Sequence, residues 1–391
     1  MTVGELLAEY GSPLWLADVE RFRSNLRRFA AAWRREWPDT RIAYSYKTNR
    51  VLAFLQAAEL GGAGAEVVCE SEYLLAAGVI EVDPARIIVD GPAKPDSLLA
   101  RAAAGGALVL ADSRAELERA AAHGVRRVGL RVALDSFTGA CTRFGIPPAE
   151  ISAAAGAAAG LGLTVAALST HLVSTDFEPA SGRIVASWPR SPDDHVGAAA
   201  LLAGLASELR PAGHHVATID LGGGFPAAPA VATHARAVAG VLRAAGFAGA
   251  LLLEPGRAIV ADAVELAFTV IAVKTLADGR RCLTCDAGIN LVPGALSDPP
   301  RIEALERDGA LSEALVTGPL CLNTDVLHPA AQLPPLKPGS VLIARSVGAY
   351  QQVASTQFGE PRPAVVAREH GEWCLHTPAE GQGALGAVRV P

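Results

Sequence analysis

The sequence predicts an α/β chain: a closed (β/α)8 barrel of the TIM type followed by a C-terminal all-β domain. Three observations lead there. Between residues 41 and 257 short β-type runs alternate with Ala- and Leu-rich helical stretches, and the runs number eight. After about residue 264 the helical periods give way to β-type runs joined by Pro- and Gly-rich turns. At 391 residues the chain has room for one large domain and a smaller one.

Taken in order, "PLWLAD" is a short β-type run ahead of the first helix, and it is expected to join the β domain as an extra strand, so that residues 1–25 belong with that domain. The barrel is expected over 26–263. Its strands are "RIAYSYK", "AEVVC", "RIIVD", "ALVLAD", "RVGLRVAL", "TVAALSTHL", "HVATIDL" and "ALLLEP". Helices lie between them; "RAELERAAAHG" and "VATHARAVAGVLRAAG" each close on a glycine, the residue that most readily ends a helix. Eight such units suit a closed barrel better than an open doubly wound sheet, which is the alternative if one run is not a strand. The β domain, 264–391, holds "ELAFTVIAVKTL", "RRCLTCDAG", "GSVLIARSVGAY" and "PAVVAREHGEWCLHT".

Composition narrows the function. Half the residues are apolar and 19% are charged, as in a soluble α/β protein, and the net charge of -6 argues against nucleic acid as partner. "MTVGELLAEYGSP" lacks the basic patch and apolar core of a secretory signal, and Gly, Pro, Arg or Glu interrupts every candidate membrane span. A cytoplasmic protein with no membrane partner is expected. The six cysteines (Cys69, Cys141, Cys282, Cys285, Cys321, Cys374) are too few for a disulfide scaffold. Cys282 and Cys285 form a lone C-x-x-C within a strand, with no second pair and no nearby histidine, so no metal site is expected.

In a β/α barrel, functional groups belong where strands end and the following loops begin. Lys47 ends the first strand, His171 and Ser174 follow the sixth, Gly222, Gly223 and Gly224 follow the seventh, and Glu254 and Arg257 of "EPGR" follow the eighth. Singly each has an ordinary explanation: a solvated lysine, a tight turn, a core histidine, an acid paired with its neighbour. Together they suit a phosphorylated aldehyde cofactor. A lysine can hold pyridoxal 5'-phosphate as a Schiff base, glycine N–H groups can bind its phosphate, and a carboxylate can keep its pyridine nitrogen protonated.

The chain also resembles the fold-type III pyridoxal-phosphate decarboxylases, the diaminopimelate and ornithine decarboxylase group, and is most similar to the diaminopimelate branch. The residues that carry the likeness are "YSYKTN", "GAGAEVVCESEY", "VDGPAK", "RFGI", "STHLVS", "DLGGGFP", "EPGR", "CDAGIN", "GPLCLNTD", "GAYQ" and "QFGEPRPAVV", in the family's order over nearly the whole chain. The resemblance implies an alanine racemase-like fold and a homodimer with shared active sites. It makes Lys47 the Schiff-base lysine and His171 the imidazole stacked on the cofactor ring. Gly222, Gly223, Gly224, Ser174, Gly256 and Tyr350 would hold the phosphate, and Glu254 would face the pyridine nitrogen. Arg257 would contact the substrate carboxylate or the phosphate. Cys321 would reach the partner's cofactor to protonate the carbanion carbon, with Leu322, Asp325 and Tyr350 lining the substrate.

Three departures from the family pattern bear on substrate. Val173 stands for a glycine in "HLVS". Leu322 stands where the diaminopimelate enzymes carry a glutamate that reads the distal amino group; a buried leucine cannot neutralise an ammonium ion, which argues against meso-diaminopimelate. The connection over 174–195 is long, and its Arg183 and Arg190 are candidates to face an acidic or carrier-linked substrate. The alternative enzyme on the same fold is an amino-acid racemase or epimerase, and Glu254 weighs against it because the racemases are expected to place an arginine at the ring nitrogen. A non-catalytic carrier of the cofactor would need Lys47 but neither Glu254 nor Cys321.

Overall fold

The computed structural model describes residues 1–134, 142–178, 180–306 and 308–381. Cys141 lies outside the described residues. The chain divides into two units, one of residues 23–259 and one made of 1–22 with 260–391. The divisions fall at 22/23 and 259/260, against the expected 25/26 and 263/264.

The first unit is a closed barrel of eight parallel strands: β1 (Thr40–Ser45), β2 (Gly64–Val67), β3 (Ile87–Val89), β4 (Leu108–Ala111), β5 (Arg127–Arg131), β6 (Thr164–Ser169), β7 (Thr218–Asp220) and β8 (Ala250–Leu253). Each expected run overlaps one of them, β1 and β2 beginning one residue ahead of the runs that predicted them. The ring closes where Leu251 of β8 pairs with Thr40 of β1. Ala43, Ile88, Leu110 and Leu252, from four different strands, form one apolar cluster of buried side chains. Because both faces of these strands are covered, they read as continuous apolar runs rather than alternating ones.

Helices connect the strands and their ends follow local chemistry. Ser113 Oγ accepts from Glu116 N–H at the start of Arg114–Ala122, and Gly124 beyond its end has a φ of 86°. Ser191 and Asp194 cap Pro192–Leu209 reciprocally. From the helix Val19–Glu36, Phe29 and Trp33 pack edge-on against Phe225, with ring centroids 5.8 and 5.2 Å away. That contact anchors the loop after β7. The long connection after β6 contains a β-hairpin, Thr175–Glu178 with Arg183–Ala186.

The second unit is a nine-stranded sheet. Leu14–Asp18 lies between Val264–Thr275, antiparallel to it, and Val365–Glu369, parallel to it. The early run "PLWLAD" thus pairs inside this sheet. The N-terminal helix Val3–Tyr10 lay outside the sequence expectation; a Thr2/Glu5 capping box starts it and Leu6 packs on Leu14, Leu16 and Val366. Cys282 and Cys285 are both buried in the strand Arg281–Cys285. Among the described residues no helix is long and apolar enough to cross a membrane.

Candidate active site

Lys47 sits in the single turn Tyr46–Thr48 that leaves β1, at the C-terminal end of the barrel. Its Nζ lies 2.5 Å from both carboxylate oxygens of Glu66, which stands on the adjacent strand β2. The Lys47 side chain is 29% exposed and that of Glu66 fully buried. The lysine side chain is therefore partly exposed, while its counter-charge belongs to the barrel wall.

Glu66 belongs to a larger acidic cluster. One carboxylate oxygen from each of Glu66, Asp90 and Glu254 lies within 4.8 Å of the other two, and all three residues are buried. Two cations offset them, Lys47 on Glu66 and Arg131, whose Nη1 is 3.1 and 3.0 Å from the two oxygens of Asp90. Asp220, at the end of β7, adds a fourth buried acid. Four acids against two cations leave an excess of negative charge that burial makes costly, so protons are retained. Burial raises Glu66 against the pull of Lys47. Burial, reinforced by Asp90, lifts Glu254 to about 7. Burial and Glu254 push Asp220 well above the usual carboxylate range. Burial acts upward on Asp90 as well, but Arg131 and Lys47 hold it below its ordinary value.

His171 follows β6, and its Nδ1 accepts from the Gly223 N–H at 3.2 Å. The ring is thus neutral with its proton on Nε2, and burial, aided by Lys47 and Arg131, lowers its pKa to about 4. Its Nδ1 is 3.7 Å from Glu254 Oε2. The loop after β7 must be glycine here: a Cβ on Gly222 would meet His171 Nδ1 at 2.6 Å, and both Gly222 (φ 59°) and Gly224 (φ 88°) are left-handed. Gly256 is equally constrained, since a Cβ there would lie 2.0 Å from Thr48 Oγ1.

The expectation that all three glycines offer N–H groups to a phosphate needs correcting. Gly222 N–H donates to Asp220 Oδ1 at 2.9 Å and Gly223 N–H to His171, so two of the three are engaged within the loop. A carboxylate atom does match the cofactor: Glu254 Oε1 is buried and meets no N–H or hydroxyl donor among the described residues, the hydrogen bond between the Glu254 and Asp220 carboxyls needing a proton held by one of those acids. A buried acceptor of this kind fits a protonated ring nitrogen. Lysine, neutral imidazole, unsatisfied carboxylate and glycine loop all occur within the one barrel unit, and they fit pyridoxal phosphate. Arg257 is stacked over the Trp188 ring at 5.3 Å, and the backbone carbonyl of Ser174 accepts from Ser187 N–H at 2.8 Å.

Two further expectations change. Arg190 is only 8% exposed; its Nη2 pairs with Asp194 at 3.2 Å and its N–H donates to Gly224 O at 3.0 Å, so it braces the barrel loop rather than facing a substrate from the surface. Arg183 is exposed on the hairpin. The other candidates lie in the β unit. Asp325 was expected to line the substrate, yet it is buried and accepts from Ile289 N–H and Leu320 N–H, both at 2.8 Å. It shapes the loop that carries Cys321, which is exposed. Leu322 is 43% exposed, not buried. Tyr350 has a φ of 69°, a left-handed conformation that costs a non-glycine residue roughly 1 kcal/mol.

Glu66, Asp90, Arg131 and Asp220 escaped the sequence reading although three of them stand inside quoted motifs. The available signal was a charged residue near the C-terminal end of an otherwise apolar strand, repeated in "AEVV", "IIVD", "VGLR" and "ATID".

A family model described as "Pyridoxal-dependent decarboxylase, pyridoxal binding domain" matches residues 23–261. The chain is similar to the diaminopimelate decarboxylase of Methanothermobacter thermautotrophicus, 29% identical over 399 residues that cover 94% of this chain and 89% of that one. It is similar to the chloroplastic ornithine decarboxylase of Nicotiana glutinosa, 27% identical over 354 residues covering 83% and 77%. The solved structure of diaminopimelate decarboxylase from M. jannaschii in co-complex with L-lysine has a TM-score of 0.88 at 22% identity, covering 99% of this chain and 94% of that chain; this likeness is one of fold.

Proposed function

Since the chain belongs to the pyridoxal-dependent decarboxylase family, with pyridoxal phosphate as cofactor, we propose that it removes the α-carboxylate of an amino acid other than meso-diaminopimelate, working as a homodimer. The observation that carries the residue assignment is the shared cluster: Glu66 touches Lys47 on one side and lies within 4.8 Å of Glu254 on the other. A lysine amine and a ring-facing carboxylate are thereby held on one buried network.

Bound pyridoxal phosphate supplies an electron sink for the pair left when carbon dioxide departs. Lys47 would hold the cofactor through its amine, and Glu66, 2.5 Å away, would neutralise that amine whenever it carries a proton. Glu254 would face the ring nitrogen and keep a proton there, the electrostatic condition for draining the charge. His171 offers a neutral flat face to the ring. Gly224, Gly256, Ser174 and Tyr350 would hold the phosphate, and Arg257 would bind the substrate carboxylate or the phosphate. Cys321, exposed on its loop, would be the proton donor to the α-carbon in the partner's site. Leu322, in place of an acid, favours a substrate whose far end is not a simple ammonium, free or carrier-linked.

The test is a screen of amino acids in heavy water with carbon dioxide release as readout, alongside borohydride trapping at Lys47. Exchange of the α-hydrogen with the carboxylate retained would instead identify a racemase. Absence of any label at Lys47 would overturn the assignment of that residue.

A further inference from the structure

Three successive carbonyls of the loop after β7 are each taken by a donor from one short stretch, residues 188–195. His195 Nε2 lies 3.1 Å from Gly223 O and its Nδ1 3.2 Å from Ser191 O; the neutral ring donates through the closer contact, to Gly223, as the Nε2–H tautomer. Arg190 N–H donates to Gly224 O at 3.0 Å, and Trp188 Nε1–H donates to Phe225 O at 3.0 Å. The donors are themselves braced. His195 is fully buried and stacks on Phe225 at 4.0 Å, His234 Nε2 lies 3.0 Å from Arg190 O, and Arg190 pairs with Asp194. Burial lowers the pKa of His195 to about 4, so the imidazole is neutral at physiological pH.

A peptide group is planar and trans, so its C=O and N–H point in opposite directions. Fixing the carbonyls of Gly223 and Gly224 toward residues 188–195 turns the N–H groups of Gly224 and Phe225 to the other side. Phe225 is followed by Pro226, so its own bonded carbonyl adds no further N–H. Two adjacent N–H groups aimed the same way form an anion-binding concavity. Gly224 escapes the internal bonds that engage Gly222 and Gly223.

We propose that residues 188–195 act as a strap that presets this concavity for the cofactor phosphate, with Trp188 and His195 as positioning residues and the Phe225 N–H as a phosphate donor. The proposal rests on the assignment of the glycine loop to the phosphate. It gives the long connection after β6 a role in cofactor affinity rather than in substrate binding, and it accounts for the burial of Arg190.

The experiment measures dissociation constants of pyridoxal 5'-phosphate and of pyridoxal for the cofactor-free chain and for Trp188→Phe, His195→Phe and His195→Gln. Trp188→Phe keeps an aromatic ring and removes the indole N–H; His195→Phe keeps a stacking ring and removes the donor; His195→Gln restores one. The wild type should prefer the phosphorylated form strongly. In Trp188→Phe and His195→Phe that preference should fall about tenfold, with pyridoxal affinity changed less than about twofold, and His195→Gln should recover part of it. Equal weakening toward both ligands, or an unchanged preference in either folded variant, would overturn the strap. A wild type with no preference for the phosphorylated form would instead remove the glycine-loop assignment beneath it. Melting temperatures establish which variants fold, and each substitution tests a separate donor.

Discussion

Lys47 Nζ stands 2.5 Å from each oxygen of the Glu66 carboxylate, an ammonium held symmetrically by a fully buried acid. The lysine reaches solvent and the acid does not. Removing the lysine therefore strands a carboxyl that can escape the cost only by taking up a proton, and this asymmetry can be measured.

Lys47→Ala is expected to abolish the visible absorbance of lysine-bound cofactor and to lower kcat by roughly 10³-fold or more. Cofactor-free Lys47→Ala should also lose up to about 3 kcal/mol of stability at neutral pH, less if Glu66 protonates. Lys47→Ala combined with Glu66→Gln should regain most of that loss. Urea unfolding of the three proteins checks it, and no recovery in the double variant would count against the pairing.

Glu254→Gln keeps the shape of the side chain and removes its charge. The cofactor should still attach to Lys47, while kcat falls by about 10²- to 10³-fold with a small change in KM, because the missing interaction acts on charge that develops during the reaction. Single-turnover carbon dioxide release separates this effect from slower product release.

The same substitution carries a pH signature. Burial, reinforced by Asp90, raises Glu254 from 4.5 to about 7, so the folded state favours its protonated form. Its stabilising contribution is complete below pH 4.5 and is lost as pH rises through about 7. In cofactor-free protein the melting temperature of Glu254→Gln relative to wild type should therefore climb between pH 4.5 and about 7 and level off above. His171, lowered from 6.5 to about 4, loses stability in the opposite direction as pH falls, but it is present in both proteins and largely cancels in the difference.

Leu322 follows Cys321 where an acid would read a distal ammonium. Wild-type enzyme should decarboxylate meso-diaminopimelate poorly, and Leu322→Glu should raise kcat/KM for it by about tenfold, the value of one charge-assisted contact. A fully active wild type on that substrate would defeat the reading.

Asp325 holds the Cys321 loop through two backbone N–H groups. Asp325→Asn keeps one acceptor oxygen and replaces the other with a donor, so one of the two N–H groups loses its partner. Alkylation of Cys321 by iodoacetamide should change at least about threefold in rate, with the folded β unit retained by circular dichroism. A rate equal to wild type would show that the loop keeps its form without the carboxylate.

The barrel was readable because all eight strands are covered on both faces and so stand out as apolar runs, and because Gly124 and Gly246 mark helix ends where the chain turns left-handed. The placement of Lys47, His171, the glycine loop and Glu254 just beyond barrel strands was readable because each follows a run that stands out as apolar. What stayed hidden depended on direction. Glu66, Asp90 and Arg131 point into the barrel, and a single charge in an apolar run gives no sign of which side it faces. Arg190 was misread for the converse reason: its sequence neighbours Ser187, Ser191 and Asp194 look like a solvated loop, whereas three-dimensional closure onto Gly224 buries it. The start of Val3–Tyr10 was legible in the Thr2-x-x-Glu5 spacing and was overlooked.

The strand Leu14–Asp18 has a consequence for biosynthesis. Trp15 pairs with Val365, whereas every strand of the barrel lies within 23–259. On a ribosome the barrel can close once its own continuous stretch has emerged, but Leu14–Asp18 has to wait for Val365–Glu369, made about 350 residues later. Until then its backbone is an open edge, short and followed at once by the charged start of the Val19–Glu36 helix, features that discourage pairing with a neighbouring nascent chain.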